Sequence, residues 1–270
     1  MEKAYHVPNT GRLSTITAGI LFGYALLPIL RIPAREVSFP FLGVLIVFRF
    51  NFYYIVSIIT AIMAATGMDW IMRDHPALIE RPRFAHLILP ALTTAAIGVP
   101  LGLLETGNAW WIILALGSGL VVMVMLAEYI SLDSQDSRYP LALMVLSGTS
   151  YSLMLILSIA LRAADVRLYL MLLILTTVFI FFILRILNFR LGGQWHLEWT
   201  AVIVLISAQF IIALFYWPLS PVRFGLLLLG IVYALTGVAV SLEQKPDLLQ
   251  VFLEPLIVMG ILWVLAIFLG

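Results

Sequence analysis

Cysteine is missing from all 270 residues, so disulfides, thiolate nucleophiles and cysteine-ligated zinc or iron–sulfur centres are excluded. Charge is nearly as scarce. Only 11% of the residues are Asp, Glu, Lys or Arg, where a soluble domain carries roughly 25%. The formal net charge of +1 leaves no basic surface with which to hold nucleic acid. Signatures of activated chemistry are also lacking. There is no glycine-rich phosphate loop, no HExxH zinc helix and no GxSxG elbow, so neither a serine nucleophile nor a zinc peptidase has support. The polar start, MEKAYHVPNTGRLSTI, leads into an apolar run with no small-residue cleavage pattern behind it. That run reads as a retained first span.

What fills the chain is apolar. Hydrophobic residues make up 63% and the mean hydropathy is +1.11, which calls for lipid as the solvent. About 20 apolar residues cross a bilayer as a helix, and nine such runs can be traced. They are Arg12 to Leu30, Phe52 to Met72, Phe84 to Leu104, Ala109 to Ile130, Pro140 to Ala163, Leu168 to Leu187, Trp199 to Leu219, Val222 to Leu242, and Leu249 to Gly270. The expected fold is an all-α polytopic bundle forming a single domain over 1–270. Residues 37–50, VSFPFLGVLIVFRF, are too short to cross comfortably and contain Pro40 and Gly43. They are expected to be a short broken or re-entrant segment.

With nine spans, Lys3, Arg12, Arg73, Arg81, Arg83, Arg138, Arg185, Arg190 and Lys245 fall on the N-terminal side of the membrane. Arg31, Arg35, Arg49, Arg162, Arg167 and Arg223 fall opposite. The positive-inside rule then places the loops after spans two, four, six and eight in the cytoplasm of a cell-membrane protein. Most carboxylates and all four histidines (His6, His75, His86 and His196) lie at that same face. Chemistry, if any, belongs there.

The most polar interruption is AEYISLDSQDSRYP, residues 127–140. Within it Asp133 and Asp136 are spaced to share a hard cation such as Mg²⁺, although capping aspartates in a solvated loop have the same pattern. Glu128 sits in the last turn of span four. Asp69 and Arg73, one turn apart at the end of span two, can pair, with Glu80, Arg81 and Arg83 in the loop beyond. His86 opens span three and reads as an interfacial residue. Glu254 stands about five positions into span nine, on a face shared with Asp247 and Gln250. An acid inside a span is by default a functional candidate, with Arg185, Arg190 or Arg138 as its partner. His196 and Glu198 lie between Trp195 and Trp199, a pattern typical of an interfacial aromatic belt. In span eight, Gly230, Ala234, Gly237 and Ser241 share one helical face, a seam for close helix packing.

Asp69, Arg73, Glu128 and Glu254 are therefore the candidates for substrate or ion coupling, and Asp133 and Asp136 for metal. The aspartate-rich motifs that UbiA-type intramembrane prenyltransferases carry after their second and sixth spans have no counterpart here. The end of span two offers only Asp69, Asp74 and His75, and LRILNFRLGG contains no acid. Two function classes remain open. The first is a transporter-like or accessory membrane-complex subunit with an acidic cytoplasmic cleft. It would have membrane lipids, further copies of itself or other membrane subunits as partners, and no cofactor. The second is a lipid-phosphate or isoprenoid transferase using Mg²⁺ at Asp133 and Asp136.

Overall fold

The computed structural model describes residues 7–30, 35–41, 44–50, 52–75, 84–244 and 248–269, with side chains described outside 35–41, 44–50 and 248–250. Among these, nine helices are long and apolar enough to cross a membrane. The fold is all-α and polytopic. In chain order come α1 (Thr10–Ala25) with its short continuation α2 (Leu27–Leu30), strands β1 (Arg35–Phe41) and β2 (Val44–Phe50), then α3 (Phe52–Met72), α4 (Ala85–Leu103), α5 (Asn108–Ile130), α6 (Tyr139–Ala163), α7 (Leu168–Arg190), α8 (Leu197–Phe215), α9 (Pro221–Gln244) and α10 (Leu248–Phe268). Large apolar side chains such as Leu116, Met144 and Phe268 lie exposed along the helices. A surface of this kind requires hydrocarbon around it.

The sequence reading needs correction in three places. Residues 37–50, expected to be a broken or re-entrant segment, are not helical where described: β1 and β2 pair antiparallel, with Arg35 opposite Phe50 and Phe41 opposite Val44. A short apolar run rich in β-branched and aromatic residues suits a strand as well as a helix. The open edges of a two-stranded ladder need water or protein beside them, so the hairpin is barred from the lipid-exposed hydrocarbon. Span seven ends at Phe215, four residues early, because Trp217 precedes Pro218 and the residue before a proline is driven out of helical conformation. Span six continues to Arg190. It ends where Gly192 and Gly193 take positive φ (69° and 87°) and the Gly193 N–H donates to the Asn188 carbonyl at 2.8 Å, a left-handed cap that glycine adopts without strain.

The expected bundle over 1–270 contains two compact units, Met1–Tyr139 and Pro140–Gly270. In the first, α1 packs on α3, α3 on α4, and α4 and α1 on α5. Arg12, at the start of α1, reaches the far end of α3. Its guanidinium donates to the Trp70 carbonyl at 2.7 Å and pairs with Asp74 at 2.8 Å. The two helices are thus antiparallel, and the hairpin between them returns the chain to the end it left. Prolines 90 and 100 sit inside α4, where they cannot donate to the carbonyls of His86 and Ala96. Trp110 is fully buried and donates from Nε1 to the Leu101 carbonyl at 3.0 Å, satisfying one of the carbonyls that a helix C-terminus leaves open.

In the second unit α9 is the common neighbour, packing on α10, α8 and α7. Its small-residue face lies against α10. A side chain at Gly237 would meet Pro255, and one at Gly230 would meet Trp263. Tyr151 of α6 and Thr236 of α9 share a buried hydroxyl–hydroxyl bond of 2.7 Å. Arg162 donates to the Phe215 and Trp217 carbonyls at 3.2 and 3.3 Å, closing the end of α8.

The tightest approach is at Gly98 of α4, where an added Cβ would strike the Ser57 hydroxyl of α3 and lie 2.9 Å from the Tyr24 hydroxyl of α1. That hydroxyl donates to the Thr94 carbonyl at 2.7 Å, so three helices meet at one point. Gly98→Ala should cost about 1–3 kcal/mol by overpacking. By contrast Gly119→Ala, with nothing within 4 Å of the new carbon, should be neutral or gain up to about 1 kcal/mol. Thermal unfolding of the two purified variants in detergent checks the contrast.

Candidate functional site: a buried carboxylate–imidazole pair

A four-residue loop joins α4 to α5, so the first turn of α4 lies beside the last turn of α5. This brings His86 and Glu128 together. The His86 Nδ1 stands 2.7 Å from the Glu128 Oε2, with the side chains 7% and 0% exposed. Ser131, which caps α5, donates to the Glu128 carbonyl at 2.9 Å and lies 3.4 Å from both the Glu128 Oε2 and the His86 Nδ1. A serine nucleophile needs the imidazole nitrogen opposite the one that faces the acid. Here serine and carboxylate crowd the same nitrogen, so the trio is no hydrolase triad.

Around it, polar pairs are layered at one end of the first unit. His75, 5% exposed, packs edge-on to Tyr129 with ring centroids 4.7 Å apart, and Asp74 holds Arg12. The His86–Glu128 bond has an unusual capacity. Imidazole can donate to a carboxylate in its neutral or its protonated form, and it can accept from a carboxylic acid. The shared proton of such a contact can be assigned to either partner.

The other candidates have different surroundings. Asp69 accepts from Arg73 through Nε at 3.2 Å and Nη2 at 2.9 Å, an i,i+4 pair at the surface of α3. Such exposed pairs contribute about 0.3–0.5 kcal/mol. Asp133 accepts the Gln135 backbone N–H at 2.8 Å, the turn that aspartate commonly makes. Asp136 is gripped by Arg138, whose Nε and Nη2 donate to its two oxygens at 3.1 and 2.7 Å. A cation at Asp136 would have to displace that guanidinium. Among the described residues no three acids or histidines lie close enough to hold a metal ion.

Glu254 lines a cavity of about 400 Å³ in the second unit, with Arg190, Ser147, Tyr233, Gly237, Ser241 and Pro255 on its walls. Gly230 and Ala234 continue the packing face of α9, where Ala234 is 7% exposed. Of the arginines considered as partners for Glu254, Arg138 takes Asp136 and the buried Arg185 donates to Asn188 at 2.7 Å. Only Arg190 shares the cavity. Glu198 is exposed at the start of α8, and the neighbouring Trp199 donates to Glu243 at 2.8 Å. His6, Glu80, Arg81, Arg83, Lys245 and Asp247 lie outside the described residues, as does the side chain of Gln250.

His86 was the residue that sequence reasoning undervalued, placing it at the interface. The signal was nonetheless present. His86 and Glu128 each stand roughly five helical turns from the short ETGN loop, so an antiparallel helix pair must bring them to the same depth.

The family described as "Protein of unknown function (DUF5656)" matches residues 32–269. The chain belongs to this family. No curated protein and no solved structure matches it. In this DUF5656 chain the matched stretch takes in α3 to α10, with both members of the buried pair and both charges of the cavity, while α1 precedes it.

Glu128→Leu strands a buried imidazole and should cost about 1–3 kcal/mol. Asp133→Asn keeps the turn's acceptor oxygen and should stay within about 0.5 kcal/mol of the parent. The double variant His86→Leu/Glu128→Leu should be more stable than the sum of its single changes implies. Unfolding midpoints of the parent, His86→Leu, Glu128→Leu and the double variant in one detergent give the comparison, with Asp133→Asn as the control, and strictly additive losses would argue against the pair.

Proposed function

We propose that this protein is a proton-linked, transporter-like component of the cell membrane, with Glu128 and His86 as its proton-binding centre. The observation that carries this reading is the complete burial of a carboxylate against an imidazole at the juxtaposed ends of two spans. Ionisable groups within membrane spans are costly to keep, and Asp, Glu and His chains recur where protons cross. Burial removes competing water, and a bond that persists in several protonation states can pass a proton on without unfolding its surroundings.

The excess of Lys and Arg after spans two, four, six and eight supports placing that end of the chain in the cytoplasm. The pair would then exchange protons with the cytoplasm. Mg²⁺-dependent lipid-phosphate or isoprenoid transfer has less to support it, because Asp133 and Asp136 are engaged by backbone and Arg138. A purely structural accessory subunit would use the pair only as a clamp between α4 and α5.

The test is proton movement in proteoliposomes loaded with a pH-sensitive dye and challenged with gradients of amino acids, sugars, organic acids and inorganic cations. At least one solute class should shift the internal pH in the parent protein. Glu128→Gln should abolish the shift, and Asp133→Asn should leave it intact. A response that survives Glu128→Gln, or a parent that moves no proton with any solute, contradicts the proposal. Dependence on Asp133, Asp136 and Mg²⁺ in a lipid-phosphate transfer assay would favour the transferase.

A further inference from the structure

The cavity in the unit Pro140–Gly270 gathers several polar side chains into one space. In the same unit Ser150 and Ser158 bond to carbonyls in their own helix, and Arg162 closes the end of α8. Around the cavity Ser147, Arg190, Tyr233, Ser241, Gln244 and Glu254 converge. None of these six side chains has a hydrogen-bond or ion-pair partner among the described residues. One cation and one anion face a shared space of about 400 Å³ yet form no ion pair with each other. That volume lies in the range of small-ligand sites.

Its depth is set by helix ends. Arg190 is the last residue of α7 and Gln244 the last of α9, while Glu254 stands six residues into α10, about 9 Å along it. The cavity therefore opens at the level where hydrocarbon gives way to headgroups. Beside it α10 presents Leu253, Leu256 and Ile257, each about half exposed, and only 17% of that span is buried. A charged pocket at the interface thus adjoins an apolar surface running into the membrane.

We infer that this cavity binds the phosphate–ammonium headgroup of a zwitterionic membrane phospholipid. Arg190 takes the phosphate as a charge-assisted fork, Glu254 takes the ammonium, and the α10 face carries the acyl chains. Ser147, Tyr233 and Ser241 supply hydrogen bonds to the remaining oxygens. The inference rests on different residues from the proton-linked reading, and either can fail without the other.

Native mass spectrometry of the delipidated full chain tests it, titrating phosphatidylethanolamine, phosphatidylglycerol and water-soluble glycerophosphoethanolamine in turn. The parent should retain phosphatidylethanolamine over phosphatidylglycerol, and the soluble headgroup should bind far more weakly. Arg190→Gln should weaken both lipids by about tenfold or more. Glu254→Gln should erase the preference for phosphatidylethanolamine while leaving phosphatidylglycerol bound. Ser147→Leu fills the space without touching either charge and should displace the lipid from a protein whose unfolding midpoint is unchanged. Equal retention of the two lipids by the parent, or indifference to all three substitutions, overturns the inference. Binding of the soluble headgroup as tight as that of the lipid overturns the membrane source.

Discussion

Hydrocarbon cannot accept or donate a hydrogen bond, so every polar group that a span carries into the membrane has to find a partner within the protein. Much of this chain's architecture follows from that constraint. Hydroxyls along the spans turn back on their own helices: Ser57 to Tyr53, Thr60 to Val56, Thr93 to Leu89, Ser158 to Met154 and Ser207 to Ile203, all at 2.7–2.8 Å. Those bonds silence a polar group without fixing any neighbour. Others reach between helices, among them Tyr24 to α4, Trp110 to the end of α4, Tyr151 to Thr236, and His86 to Glu128.

These four bonds differ in what they allow. A tyrosine or tryptophan donor closed on a carbonyl or hydroxyl is a static tie at neutral pH. The carboxylate–imidazole pair is the one among them that joins two ionisable side chains. The same structural logic that orders the bundle therefore produces a group capable of chemistry. Small residues supply the complementary ingredient. Where no hydrophobic force separates helix from lipid, close approach over glycine provides dispersion contacts instead. Gly98 beneath Ser57 and Tyr24, and Gly225 against Ile159, mark the tightest glycine approach in each unit.

Most of the fold was legible in the chain because length and hydropathy report spanning helices directly. The ends of α3, α5 and α6 fell within a residue of their expected positions. What escaped was set by local backbone chemistry. The run 37–50 was read from its length and from Pro40 and Gly43, whereas the alternating backbone pairing of β1 and β2 depends on contacts between two segments that neither announces by itself. Trp217-Pro218 and Gly192-Gly193 did carry boundary signals, but hydropathy drowned them.

The candidate site was half legible. Glu128 and Glu254 stood out as acids in apolar surroundings, and the structure gives each a distinctive setting, a buried imidazole for one and a cavity with Arg190 for the other. His86 was read as interfacial because a histidine near a span end usually is, and Arg190 was one of three arginines open as a partner for Glu254. Their surroundings follow from which helix ends the fold brings together, which composition does not encode. Asp133 and Asp136 illustrate the converse, a conspicuous motif whose oxygens are absorbed by a turn and by Arg138. The family match spans both polar centres without naming an activity.

The central claim is that the buried pair handles a proton while its bond persists. Infrared difference spectroscopy between acidic and alkaline buffer reads this directly on the protein in lipid. The account predicts a carboxyl stretching change that disappears in Glu128→Gln, accompanied by an imidazole ring signal that disappears in His86→Gln. A spectrum in which neither substitution removes any pH-dependent band would contradict it, leaving His86 and Glu128 as a fixed tie between two helices.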